Sequence, residues 1–551
     1  MNIASIKAYQ VFDSRGEPTI RVRMESDSGN HSRFDAPSGK SVSGNEAKER
    51  RDNEPSQFGG HGVTGNVDIV EGIIAPKFIG YPLGHQADFD ALVLALDGTE
   101  DRSNLGTNTL TALSGAYFLL SCYEQKKEIW EIIADTLGTT PAMPRLYANL
   151  VGGGAHAPGL DIQEFMVVPK TTQVTDSINL IYILRKTLRS IFANLYGPAV
   201  KLVSDEGAMA PLGATPEVVL EAFQQLAHSN NDNFDIALDC AANFYFKDGG
   251  YNFSNRQMTM QELGAMYMQW DKQFPLLSLE DPFAEQDLEG LKYLSTQPGR
   301  KAIIVGDDTT ATNATRIQDL AAQKLIGAVI IKPNQVGTIS DMFSAISAAM
   351  QSDVKLIISH RSGESNDTFL ADLAYGTGAF GMKLGSPVRG ERIAKYNRLF
   401  EIEKDQQLKT QAPAPAQTPV INPLPMAPQT PAALPTDPAQ PQSPAQPASG
   451  PIHLAPAPGP LSGIINQAPA APAASPTPGP FPATDLHQTV GQETARALHR
   501  YNPNTETIAS EVTDPMGQAG HSPHAQAYAP ASSGPAAPPV GNPAVPPKFP
   551  R

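Results

Sequence analysis

The sequence predicts an α/β chain in three parts. These are a small α+β domain at residues 1–127, a (β/α)8-type barrel at 128–405, and a disordered tail at 406–551. Three observations predict this division. First, six short apolar runs between Ala237 and Lys383 each end on a residue able to do chemistry. IALDC ends at Asp239, LLSLED at Glu280, IIVGDD at Asp307, VIIKPN at Lys332, LIISHRS at His360 and Arg361, and FGMKLG at Lys383. Their spacings of 41, 27, 25, 28 and 23 residues are what a buried strand plus a returning helix consumes. Second, strand-like alternation comes before helical patterns in the first 127 residues, which is the order of an α+β domain. Third, the composition breaks at Asp405, beyond which lie 33 of the 50 prolines.

Taken in order, IKAYQVFDS and TIRVRME read as two strands joined near Arg15–Pro18, with a further edge around Asn30–Ala36. Pro37–Asp52, PSGKSVSGNEAKERRD, reads as a Gly/Ser loop running into a charged helix. Such a loop can turn backbone N–H groups and hydroxyls toward an anion, although composition alone fits a plain surface loop better. Helical patterns follow at Val67–Phe78, Gln86–Ala95 and Thr107–Cys122. From about Glu128, helix and strand alternate up to Asp405. Asn149–Pro169 carries a glycine run, His156 and Glu164 before an apolar strand; a lone histidine in a loop is more often structural than catalytic. Lys201–Pro211 places Asp205 and Glu206 after a short apolar run. Adjacent carboxylates are usually just solvated, but in a cleft one of a pair has its pKa raised and can serve as an acid.

The tail is rich in Pro, Ala, Gln, Ser and Gly, which build neither a helix nor a sheet ladder, and it is expected to be disordered with polyproline character. Its one proline-free island with a helix start signal is Thr484–Tyr501, where Leu486, Val490 and Leu498 would share a face. Chance explains that pattern as well as a binding motif does. The tail's partner is unknown.

The net charge of −15 lies almost wholly before Gln406. An acidic body disfavours nucleic acid and anionic membrane as partners, so neither is expected. An anionic small-molecule substrate would need positive charge supplied locally by side chains or metal ions. The two cysteines, Cys122 and Cys240, are far apart, which fits a reducing compartment rather than a disulfide framework. No window has the length of a membrane span and the first sixteen residues hold no apolar signal core, so a cytoplasmic location is expected.

Polar residues repeated at the carboxyl ends of barrel strands converge on one face. Any one of them could be an ordinary strand-end residue meeting water, but six in register are hard to explain that way. Asp239, Glu280 and Asp307 offer oxygen-only ligation, which suits Mg²⁺ or Mn²⁺ rather than zinc. Lys332 follows directly and, in a cationic and metal-rich surrounding, is a candidate base; a salt bridge to Asp307 or Asp308 is the plainer alternative. His360, Arg361 and Ser362 form a compact donor set for phosphate or carboxylate, and Lys383 adds a further positive charge. Together these groups suit proton abstraction beside a carboxylate, with metal stabilising the enolate.

Residues 1–405 resemble the enolase family along nearly their whole length. The motifs are VFDSRGEPT, PSGKSVSGNEA, LDGTEDRSNLGTN, GGAHAPGLDIQEFMVVP, SDEGAMAP, IALDCA, SLEDPFAEQD, IIVGDD, KPNQVGTISD, IISHRSGESNDTF and VRGERIAKYNRLFEIE. A Lys or His base with one or two Mg²⁺ ions is the established arrangement of enolase-superfamily sites. The resemblance implies reversible dehydration of 2-phosphoglycerate to phosphoenolpyruvate with two Mg²⁺ ions. It implies that Asp239, Glu280 and Asp307 bind the first metal, and that the lid serine Ser41 helps bind the second. It further implies Lys332 as the base at C2, and Glu206, with Glu164 beside it, as the acid. His360, Arg361 and Ser362 would clamp the substrate phosphate, Lys383 would face its carboxylate, and His156 would sit on a second mobile loop. By analogy with the family, a homodimer or larger ring is expected.

Departures cluster in the loops. The family lid usually reads PSGASTG; here Lys40 replaces Ala, Val42 replaces Thr, Ser43 follows, and Gly44 falls one place later. Gly152 stands for Asn, Ala208 for Gly and Gly390 for Ser, and the His156–Glu164 segment is one residue shorter than common. These changes imply an active enzyme with altered lid behaviour. Two alternatives stay open at this stage. One is another acid dehydratase of the same superfamily; the other is an enolase-like scaffold or surface-binding protein with reduced activity.

Overall fold

A computed structural model describes residues 1–40, 43–197 and 202–411 of the chain. Ser41, Val42, the tail beyond Gln411 and its island at Thr484–Tyr501 lie outside the described residues.

The chain opens with an antiparallel sheet of three strands in sequence order, β1 (Ile3–Phe12), β2 (Pro18–Ser26) and β3 (His31–Asp35). Ile6, Ala8, Ile20, Val22, Met24 and Phe34 bury one face, while Lys7, Arg23 and Arg33 pair across the other. This is the period-two pattern read from the sequence. The buried face packs on the helix Thr107–Gln125, which is buried on all sides from Thr107 to Cys122. A helix covered all round sits inside a domain rather than on its surface. Its Gly115 lies so close to β3 that an added Cβ would fall 2.5 Å from the Phe34 ring. Helices at Thr64–Ile69 and Ala75–Phe78, joined by a π turn at Val70–Ile74, and at Gln86–Asp97 complete this part.

One expectation fails here. The charged stretch after Gly44 forms no helix up to Asp52. Its groups are drawn outward instead: Ala47 N donates to Gln335 O at 3.0 Å, Lys48 N to Asp101 O at 2.9 Å and Arg50 N to Asn108 Oδ1 at 3.1 Å. Tertiary partners satisfy these donors better than an exposed helix would.

The second part is a closed eight-stranded barrel. Its strands are β4 (Arg145–Gly152), β5 (Glu164–Pro169), β6 (Phe234–Asp239), then, after a small sheet of β7 (Phe246–Lys247), β8 (Gly250–Phe253) and β9 (Arg256–Met258), the strands β10 (Leu276–Glu280), β11 (Ile303–Gly306), β12 (Ala328–Ile331), β13 (Lys355–Ser359) and β14 (Gly381–Lys383). Round the barrel the order is β10–β11–β12–β13–β14–β4–β5–β6. It is not wholly parallel: β5 runs antiparallel to both β4 and β6. The chain passes from β4 to β5 by a loop without a helix, and a short connection can only reverse direction. Elsewhere the strands are parallel and separated by helices, as the spacing predicts.

Along β12, Ala328 and Ile330 point into the barrel with Val168, Val305 and Ile357, while Val329 and Ile331 face the surrounding helices. The interior is therefore packed with mostly apolar side chains, and charged ones gather at its rim. The last helix, Gly390–Gln411, runs past Asp405, where the composition changes. The first part is fastened to the barrel's rim by several bonds. Ser38 and Gly363 exchange backbone bonds of 2.8 and 2.9 Å, and Asp90 accepts the Ser340 hydroxyl at 2.7 Å.

Gly115→Ala is expected to force apart the first sheet and the central helix, costing about 1–3 kcal/mol, as overpacking does. It should appear as a lowered thermal unfolding midpoint, and an unchanged midpoint would contradict this packing.

Candidate active site

The barrel register gathers the predicted side chains at one rim. Asp239 ends β6 and Glu280 ends β10, and the two residues are paired directly across these strands. Asp307, Lys332 and His360 each follow their strand by one residue, and Lys383 ends β14. Because β5 is reversed, it brings its first residue, Glu164, to the same rim, opposite Asp239. His156 comes from the β4–β5 loop and Glu206 from the loop ahead of the helix Pro216–Ser229. A pocket lined by these groups except Glu280, with Gly39 of the first part at its edge, is almost filled by its own side chains. A larger cavity of about 790 Å³ lies elsewhere, on the outer face of β1–β3, and holds none of these residues.

Ion pairs organise the pocket. Lys383 Nζ lies 2.8 Å from Asp239, 2.7 Å from Glu280 and 3.4 Å from Glu164. Burial pulls its pKa down, but Asp239, Glu164 and Glu280 outweigh that and hold the ammonium well above its usual range. Lys332 Nζ sits 2.5 Å from Asp307. Burial lowers the Lys332 pKa and Asp307 more than restores it, so the proton is held more tightly than in water. The plainer expectation of a Lys332–Asp307 salt bridge is therefore met in the protein by itself. Glu280 has the opposite problem: burial, and then the charge of Asp239, push its carboxyl well up.

Glu164 and Glu206 divide their roles. Burial, then the charge of Glu206, raise Glu164 well above the usual range. Burial also pushes Glu206 up, but His360, His156 and Arg392 outweigh it and hold Glu206 well below. Burial lowers His360 to about 4 and lowers His156 too, so both rings are neutral at pH 7. The two carboxylates are thus pushed in opposite directions, Glu164 up and Glu206 down. His156 Nδ1 lies 3.6 Å from Glu206 and 3.8 Å from Glu164, and His360 Nε2 lies 3.4 Å from Glu206.

The predicted donor set His360–Arg361–Ser362 forms the far wall. Arg361 pairs with Glu46 at 2.9 Å, and both side chains are 4% exposed. Ser362 Oγ accepts the Lys40 backbone N–H at 2.7 Å, tying the Gly/Ser loop to this wall. Ser41, predicted beside Lys40, lies outside the described residues.

The donor set suits a hard divalent cation. Its ligand atoms are almost all carboxylate oxygens, with buried Glu164 Oε2 and Gln163 Oε1 left without a hydrogen-bond partner. Asp239 and Glu280 also crowd negative charge beyond what Lys383 offsets, as the raised Glu280 shows. Among the described residues, two sets bring ligand atoms within 4.8 Å of one another: His156–Glu164–Glu206 and Asp281–Asp307–Asp308. Asp281 is committed structurally, accepting from Asp307 N at 3.1 Å, Asp308 N at 2.6 Å and Thr309 Oγ1 at 2.9 Å.

The sequence reading overlooked several members of this site. Glu46 was absorbed into the expected charged helix. Gln163 donates to Asp239 at 3.1 Å, and Asn149 to Glu206 at 3.3 Å. Asn334 and Gln335 follow Lys332 in KPNQ, and their closeness to that residue is the signal that would have found them.

Residues 3–133 match the family description "Enolase, N-terminal domain", and residues 140–414 match "Enolase, C-terminal TIM barrel domain". A curated enolase of Anaplasma phagocytophilum (strain HZ) is 36% identical over 409 residues, covering 73% of this chain and 94% of the relative. One of Aeropyrum pernix is 36% identical over 407 residues, with the same coverage of 73% and 94%. One of Methanocaldococcus jannaschii is 34% identical over 414 residues, covering 74% and 97%. With this similarity spanning both parts of the fold and nearly the full length of the relatives, the chain belongs to the enolase family.

Proposed function

We propose that the chain is a phosphopyruvate hydratase, reversibly dehydrating 2-phosphoglycerate to phosphoenolpyruvate with two Mg²⁺ ions. The reading places it in the cytoplasm as a homodimer or larger assembly and divides it at 1–127, 128–405 and 406–551. The observation that carries the chemistry is an opposition across the barrel. In the ring of eight strands, β12, which leads to Lys332, is diametrically opposite β5, which begins at Glu164. A base and an acid set on opposite walls can act on adjacent carbons of a substrate held between them.

In this reading Lys332 Nζ takes the proton from C2. The Glu206–Glu164 pair gives its proton to the departing C3 hydroxyl, so that C2–H and C3–O break, C2=C3 forms and water leaves. Arg361, His360 and Ser362 hold the phosphate, Lys383 faces the carboxylate, and His156 closes the acid side. Asp239, Glu280 and Asp307 would hold one cation, and Ser41 would help with the second. When bound, a divalent cation supplies positive charge against the substrate carboxylate as negative charge builds there. In the protein alone Asp307 keeps Lys332 protonated, so the base role requires that carboxylate to be engaged elsewhere.

The lid departure has a visible consequence. Lys40 Nζ reaches Asp205 Oδ2 at 3.0 Å, joining the Gly/Ser loop to the loop that carries Glu206. Both side chains are partly exposed, at 45% and 33%, so the pair is worth about 0.2–1 kcal/mol.

The purified chain should form phosphoenolpyruvate from 2-phosphoglycerate with Mg²⁺ and stop when chelator is added. A form ending at Gln411, which keeps the last helix whole, should retain that turnover; inactivity of both forms with Mg²⁺ would overturn the reading. Lys332→Ala should lower kcat by about 10²–10⁴-fold with the fold retained by circular dichroism. Lys40→Ala should raise KM by at most about fivefold at low salt. That difference should vanish at 1 M salt, where surface charges are screened; a salt-independent effect would count against the ion pair.

A further inference from the structure

Glu46 stands at a junction that the chemistry above does not use. Its carboxylate meets Arg361 with two contacts, Nη1 to Oε2 at 2.9 Å and Nη2 to Oε1 at 3.3 Å. Two parallel bonds between a planar guanidinium and a carboxylate fix the plane of the fork as well as its position. Asn334 Oδ1 accepts from the same Nη1 at 3.0 Å, and its amide donates to Pro37 O at 3.1 Å, at the root of the Gly/Ser loop. Glu46 Oε1 also receives the Ser43 backbone N–H at 3.4 Å and Gln335 Nε2 at 3.3 Å. Gln335 continues to Asp307 Oδ1 at 3.4 Å, and its Oε1 accepts the Thr312 hydroxyl at 2.5 Å. Thr312 Oγ1 in turn accepts the backbone N–H of Lys332 at 3.0 Å. One buried carboxylate is thus bonded to the loop's turn and to the anion wall, and through Gln335 to the base-bearing strand.

We propose that Glu46 is a positioning residue for the reaction, setting the orientation in which Arg361 receives the substrate's phosphate and making that orientation depend on the turn at Ser43. The inference rests on the reading of Arg361 as part of the phosphate clamp. Burial sharpens the need for the pair, because a guanidinium withdrawn from water and left without its counter-charge is driven to another anion or another rotamer. Charge is therefore the property that matters at position 46. Aspartate, one methylene shorter, keeps the charge but cannot span both contacts without movement.

The test is a double-mutant cycle on KM for 2-phosphoglycerate and on kcat, with folding checked by circular dichroism and thermal midpoint. Glu46→Gln, which preserves shape, is expected to raise KM by about 10–100-fold, the range for losing a group that orients a binding side chain, while kcat falls less. Glu46→Asp should recover part of the loss. In an Arg361→Ala background, Glu46→Gln should add almost nothing, because the group it orients is gone. If Glu46→Gln leaves KM unchanged while Arg361→Ala raises it, the inference is overturned and the clamp stands. The same holds if the two losses add fully. If Arg361→Ala itself leaves KM unchanged, the clamp reading falls and takes the inference with it.

Discussion

The structure depends on a single buried ammonium. Lys383, at the end of β14, lies within 3.4 Å of carboxylates carried by β5, β6 and β10. Four of the eight strands meet on it, and the residue is 3% exposed. A strand slipped by one residue would turn its side chains to the opposite face and leave a buried charge without a partner. Such a pair adds little to net stability, since desolvation consumes most of the Coulomb gain. What it does in this fold is set which residue of each strand reaches the rim. Placement of Asp239, Glu280 and Glu164 toward one point follows from it.

That convergence also creates the imbalance a cation answers. Asp239 and Glu280 are paired on neighbouring strands, and Glu280 is driven toward its neutral form by burial and by Asp239. A few ångströms away Asp307 is held ionised by Lys332 and Lys383, despite burial. The rim therefore holds carboxylates pushed in two different directions. On the other side, Glu164 is pushed up and Glu206 held down in a comparable asymmetry.

The first part of the chain contributes less charge but completes the enclosure. Ser38, Lys40 and Glu46 all come from its Gly/Ser loop and touch Gly363, Ser362 and Arg361 of the barrel. Its sheet and central helix pack on each other, and bonds through Asn334 and Gln335 join its loop to the barrel's strand ends. Backbone tethers at Ala47 and Lys48 replace the helix that the charged composition favours.

The sequence by itself determined the strands of the barrel, the rim residues Asp239, Glu280, Asp307, Lys332, His360 and Lys383, and the alternation of the first sheet. These are local properties: apolar runs bounded by turns, and side-chain periods of two or 3.6, are written in neighbouring residues. The family motifs pointed to Glu206, His360, Arg361 and Ser362, which the fold brings into one pocket, because each motif is contiguous. The reversal of β5 was not read from the sequence patterns, although the helix-free link after β4 is its physical cause. Tertiary structure alone decided that Glu46 meets Arg361, 315 residues away, and that Glu164 is pushed up while Glu206 is held down. A carboxylate's partner and pKa are set by what surrounds it in space, and neither Glu46 nor Glu164 carries that information in the residues beside it.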